Sequence, residues 1–133
     1  EQQAGRNDGA AKQKLKSKDA AFLDSYLASR LKSTRKSICE GMVFALERPQ
    51  ISKAISGRIL DALTDTVTNR ERNMIEFSRV KMLFYLISDI LFNSVQSTEA
   101  WSYVRHFEQA MPLLMLQLNA KLVSSTGKLS REQ

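Results

Sequence analysis

Apolar residues recur at three- and four-residue intervals along most of the chain, and no segment alternates as a half-buried strand would. Phe22, Leu23, Tyr26, Leu27 and Leu31 predict a first short helix with Asp19 as its N-cap. Thr34 predicts a second cap, opening a helix to about Glu47 that turns Ile38, Met42, Val43 and Leu46 inward. Pro49 ends that helix and begins the next, because the first helical turn leaves its N–H groups unbonded anyway. Ile51, Ile55, Ile59, Leu63 and Val67 then repeat at i+4 through a third helix, and the polar run from Thr68 to Asn73 predicts a loop. A fourth helix runs from about Met74 to Ser94. Ser97 or Thr98 caps a fifth, with Trp101, Val104 and Phe107 or Met111 facing in. Pro112 predicts a change of helix, with Leu113, Leu116, Leu118 and Leu122 continuing as a sixth. Thr126-Gly127 predicts a break, after which Ser130 caps a seventh. The pattern is all-α, with antiparallel neighbours joined by short loops.

The fourth helix is the densest in apolar residues, from Arg79 to Asn93, yet Ser88, Asp89 and Asn93 interrupt it. Lys81, Tyr85, Asp89 and Asn93 follow one another at i+4 and share one side. Phe92 lies almost above Tyr85, and Ser88 flanks Asp89. The expectation is a mostly buried helix with a narrow polar edge, whose carboxylate must find donors because unpaired burial is costly. Those donors are structural or belong to a ligand, and the spacing leaves both open.

Composition bounds the rest. A chain of 133 residues supports one domain. Hydrophobic residues at 43% with five Gly and two Pro point to a compact helical protein. The net charge of +6 is uneven: residues 1–40 hold nine Lys/Arg against five Asp/Glu, the remainder eleven against nine. Residues 1–18, with the lysines from Lys12 to Lys18, lack an apolar stripe and predict a flexible basic leader before a helical domain at 19–133. The single Cys39 excludes an intrachain disulfide and fits a reducing compartment. It sits within the second helix, where a small packed residue is expected. The longest apolar run, Met82–Ile87, is far too short to span a bilayer, and no signal-peptide pattern is present, so a soluble intracellular domain is expected.

Catalytic signatures are missing: there is no phosphate-binding Gly-rich loop, no Cys/His metal spacing and no nucleophile elbow. No enzyme activity, metal or cofactor is therefore expected. His106, the sole histidine, reads as a surface residue; Met42, Met74, Met82, Met111 and Met115 read as core filler, and Trp101 as a core anchor. At the start of the second helix, Arg35 and Lys36 follow directly on Thr34. Two cations and the positive end of a helix dipole coincide there, which suits a phosphate as well as it suits a solvated basic turn.

Thr34 to Leu46, then Ser88-Asp89-Ile90-Leu91-Phe92-Asn93-Ser94, then Ser102-Tyr103-Val104-Arg105-His106-Phe107-Glu108 resemble the CTD-interacting domain, the module that reads the C-terminal tail of RNA polymerase II. The likeness covers roughly residues 20–133. It is closest to the form in U2 snRNP-associated SURP-motif, SR-related splicing factors. The resemblance implies a right-handed superhelical stack of helices related to armadillo, VHS and ENTH folds. It implies a nuclear, non-catalytic role linking transcription to splicing, with phosphorylated heptads of the polymerase tail as partner. Splicing factors and RNA would be reached through the parent protein, and no membrane is involved. By the same likeness Asp89 meets the peptide at its turn, Tyr85 forms part of a pocket for tyrosine and proline, and Ser88, Phe92 and Asn93 complete the peptide wall. Arg35 and Lys36 then meet phosphate. The closest relatives frequently carry a basic residue where Leu83 stands. They also continue past the position of Gln133 into a seventh and an eighth helix, the seventh with a phosphate-contacting arginine, which this chain lacks. Two other readings stay open from the residues alone: a helical scaffold binding RNA or another protein, and a VHS- or ENTH-like trafficking adaptor.

Overall fold

A computed structural model describes residues 15–68 and 77–132, with side chains to residue 120. All of its described regular structure is helical. Helix α1 spans Ser17–Ser25 and winds on as a wider π-turn over Tyr26–Arg30, closed by the Leu31 N–H donating to the Tyr26 carbonyl at 2.8 Å. α2 spans Arg35–Leu46, and a 3₁₀ turn at Pro49–Ile51 leads into α3, Ser52–Thr68. α4 is Phe77–Ser94 and α5 is Ser102–Glu132. The expected leader lies largely outside the described residues, as does most of the expected loop at Thr68–Asn73.

The caps test the sequence reading locally. Thr34 is the N-cap of α2, its hydroxyl accepting from the Ser37 N–H at 3.2 Å. Asp19 is not a cap: it sits inside the first turn of α1, where a carboxylate favours the helix dipole, and it pairs with Arg48 at 3.2 Å. Neither Ser97 nor Thr98 opens a helix, because the chain turns through 97–101 before α5 begins at Ser102. Pro112 does not end α5, and neither does Thr126-Gly127, so Ser130 caps nothing. A proline within a helix orphans the carbonyl four residues earlier. Here that residue is Glu108, and both it and Pro112 are exposed, so water can take the bond.

The core is one continuous cluster. Ile51, Ile55, Ile59, Leu63 and Val67 are all buried, as the i+4 run predicted. α4 contributes Val80, Leu83, Leu86, Ile87 and Ile90, and α5 contributes Tyr103, Phe107 and Leu114. Several expected core residues are not there. Val43 is 41% exposed, with Phe44 and Ala45 buried in its place. Trp101 is half exposed; the anchor is Tyr103, whose hydroxyl donates to the Ala45 carbonyl at 2.6 Å. Leu113, Leu116 and Met115 stand in solvent, and Cys39 is exposed rather than packed.

α2 packs chiefly on α4, and α3 chiefly on α5. Ser52 and Ser102, the first residues of α3 and α5, share a hydroxyl hydrogen bond at 2.6 Å, so these two helices run parallel. Met42 and Asn93, each near the C-terminal end of its helix, meet at 3.0 Å, so α2 and α4 also run parallel. Short connections reverse the chain between α2 and α3 and between α4 and α5. Aromatic stacking ties α1 to α2: the Phe22 and Phe44 rings lie 4.6 Å apart. Arg30 covers Phe22 and Arg48 covers Phe44 from the outside.

His106 is only partly exposed, against the expectation of a free surface residue. Burial, with Lys53 and Arg105 close by, holds its imidazole below the usual histidine range. A group with a lowered folded pKa favours the fold above its ordinary value and costs stability as pH falls through the histidine range. The urea midpoint should therefore drop on acidification, and His106→Gln should flatten that part of the slope; an unchanged slope in the variant would exclude His106 as the source.

Candidate peptide groove

The start of α2 is held rigidly by its neighbours. The Ser37 hydroxyl donates to the Arg30 carbonyl at 2.6 Å and accepts the Lys32 N–H at 2.8 Å. The Tyr26 hydroxyl donates to the Ser37 carbonyl at 2.7 Å. Burial of that phenol pushes its pKa up to about 12, so it remains a donor throughout the physiological range. The chain from Arg30 to Ser37 is thus fixed from below, while Arg35 and Lys36 project into solvent with no ion pair among the described residues.

On α4 the predicted edge exists, but it is exposed. Tyr85 is 49% and Phe92 68% exposed, and Ser88 and Asp89 are open to solvent. The burial penalty expected for Asp89 does not operate, and its carboxylate has no partner among the described residues. Lys81 stands over the Tyr85 ring at 5.7 Å, one turn earlier on the same edge. Asn93 is already engaged: its amide donates to the Asp89 carbonyl at 2.8 Å and to the Met42 sulfur at 3.0 Å. Its amide therefore supports the α2–α4 seam. Leu83 is fully buried and lends the groove no surface.

Because α2 and α4 run parallel, level positions can be read from the Met42–Asn93 contact. Two turns towards the N-terminus, Arg35 on α2 lies level with Leu86 on α4, next to Tyr85. Tyr85, Asp89 and Asn93 thus border the side of α4 that faces α2, with Arg35 and Lys36 at one end.

Ser88 and Phe92 do not join them. They line a separate, open trough of about 430 Å³ between α4 and α5, with Phe84, Leu91, Val95 and Met111. The predicted peptide wall is divided by the crest of α4 into a polar flank beside α2 and an apolar flank beside α5. The i+4 spacing carried the first flank; the second depends on Met111, sixteen or more residues away in sequence, and had no local signal. Among the described residues, no group of three or more His, Cys, Asp or Glu could hold a metal ion. No described helix is long and apolar enough to cross a membrane. No family model, curated protein or solved structure matches this chain.

Proposed function

We propose that this chain is a non-catalytic peptide-binding module for phosphorylated heptads of the RNA polymerase II tail, acting in the nucleus to link transcription with pre-mRNA splicing. The observation that carries the reading is the exposed Tyr85–Asp89 edge of α4 running beside the cationic start of α2. A free carboxylate and a half-exposed phenol ring suit a peptide rich in hydroxyls and prolines. Arg35 and Lys36 offer a phosphate one bidentate and one point-charge partner. Phe92 extends the apolar contact over the crest, and Ser88 adds a hydroxyl beside it. Asn93 helps by holding the seam, with its amide oxygen left for the peptide. We further take the five helices to belong to a right-handed superhelical stack of the CTD-interacting type.

The test is a titration with unmodified and singly phosphorylated heptad peptides, followed by backbone NMR. Wild type is expected to bind the phosphorylated form in a salt-sensitive way, with shifts clustered on Tyr85–Asn93 and Thr34–Ile38. Asp89→Ala removes a charge-assisted bond worth about 1.5–3 kcal/mol, roughly ten- to a hundredfold in affinity, with helicity retained. Arg35→Ala with Lys36→Ala should erase the preference for phosphate. Equal binding by the Asp89 variant, or none by wild type, sinks the proposal.

A further inference from the structure

α3 and α5 begin side by side, joined by the 2.6 Å hydrogen bond between the Ser52 and Ser102 hydroxyls. Because the two helices run parallel, that pair sets their register: Lys53 stands level with Tyr103, and Ser56 level with His106. Ser56 is small and buried, which lets the imidazole settle partly covered along the seam. Lys53 and Arg105 are exposed.

Three basic groups from two helices therefore meet at this end of the seam. Burial lowers the His106 pKa first, and the charges of Lys53 and Arg105 lower it further. No carboxylate counters them at the imidazole. Glu99 and Glu108, the nearest along the chain, are exposed, and on α3 the first carboxylate is Asp61, two turns beyond Lys53. At the α2–α3 corner, Asp19 and Glu47 are engaged with Arg48. Among the described residues neither Lys53 nor Arg105 has an ion pair. Both can lean into water, but the imidazole is held in the seam beside them. A cluster of one sign, built on two helices and without a counter-charge, is matched to an anion.

We propose that Lys53, Arg105 and His106 form a binding site for a phosphoryl group. The guanidinium offers two parallel N–H donors, the ammonium a point charge and the imidazole a further N–H, which together suit a tetrahedral ligand with several charged oxygens. One of the two serine hydroxyl protons closes the Ser52–Ser102 bond; the other has no acceptor among the described hydrogen bonds and is free to donate. The ligand supplies the missing negative charge, so the imidazole takes up a proton from solvent as it binds. This site is separate from the groove beside α2, whose Arg35 and Lys36 lie a helix length away, about 18 Å along α2. The inference does not depend on the heptad reading.

His106 is the sole histidine, so its ring C–H signals in proton NMR report this site alone. Titrated in chloride, its midpoint is expected below the ordinary value of 6.5. In inorganic phosphate at the same ionic strength it should rise to that value or beyond, and the rise should saturate with phosphate concentration. Phosphoserine is the second arm: a response to both assigns a monoester site, and a response to inorganic phosphate alone assigns the free ion. Lys53→Gln with Arg105→Gln should raise the midpoint in chloride and abolish the response to phosphate. Its circular dichroism should be unchanged, since both side chains are exposed. Lys18→Gln with Lys32→Gln removes the same charge elsewhere and should alter neither midpoint. Equal midpoints in phosphate and chloride overturn the proposal, as does a phosphate response that survives the Lys53 and Arg105 double variant.

Discussion

Truncating Tyr103 to alanine is expected to cost about 3–5 kcal/mol of folding stability, the range for removing a large buried ring. The side chain is fully buried, its ring stacks near Phe107 at 6.3 Å, and its hydroxyl reaches the Ala45 carbonyl at the end of α2. It therefore joins α5 to the α2–α3 corner, beside the Ser52–Ser102 pair. Against a total of roughly 5–15 kcal/mol for a domain, that loss brings the protein near its unfolding threshold. Tyr103→Phe separates the two contributions. The Ala45 carbonyl still accepts the Arg48 N–H at 3.1 Å, so it is not orphaned, and the cost should be only about 1 kcal/mol. Urea midpoints at constant slope measure both. A small loss for alanine would mean that the corner is held by its backbone turns alone.

The parts of this fold that were legible are those where the buried residues keep a single helical stripe. The run Ile51, Ile55, Ile59, Leu63 and Val67, from the 3₁₀ turn through α3, is such a case, and each of its five residues is buried where the spacing put it. α2 is covered from two directions, by α1 through Phe22–Phe44 and by α4 through Met42–Asn93. A single-stripe reading then selects Val43, whereas the two contacts bury Phe44 and Ala45 and leave Val43 between them. α5 misled for a different reason. Proline counts as a breaker because of a lost bond and a clash, yet its position with Glu108 on the solvent side leaves water to take that bond. With the helix continuous, its phase runs from Tyr103 through Phe107 to Leu114, and Trp101 falls before it. In the candidate site, the spacing of Tyr85, Asp89 and Asn93 specified an edge. It could not say that α2 lies on one side of that edge and α5 on the other, which is what separates Phe92 and Ser88 from Asp89.

Gly41→Ala and Gly57→Ala should move stability in opposite directions, although both replace glycine inside a helix. Propensity alone favours alanine by about 1 kcal/mol at each position. At Gly57 in α3 an added Cβ meets nothing within 4 Å, so that gain should be realised. At Gly41 in α2 the same atom would stand 2.6 Å from Tyr26 Cε2 and closer still to the phenol oxygen. Tyr26 cannot swing aside cheaply: it is fully buried, and its hydroxyl is held by the Ser37 carbonyl at 2.7 Å. Overpacking of this kind costs about 1–3 kcal/mol, and with three atoms of the Tyr26 phenol inside contact distance it should outweigh the propensity gain. In a Tyr26→Ala background the obstacle is gone, and the Gly41 penalty should disappear with it, a non-additivity expected of residues in contact. Additive effects would show that Tyr26 is not the obstacle. The pair also bears on binding. The Tyr26–Ser37 bond fixes the first turn of α2, from which Arg35 and Lys36 project, and the missing Cβ at Gly41 is what lets α1 close onto that turn. Gly41→Ala should therefore weaken capture of a phosphorylated heptad even in conditions where the domain stays folded, whereas Gly57→Ala, on the helix behind, should leave it unchanged.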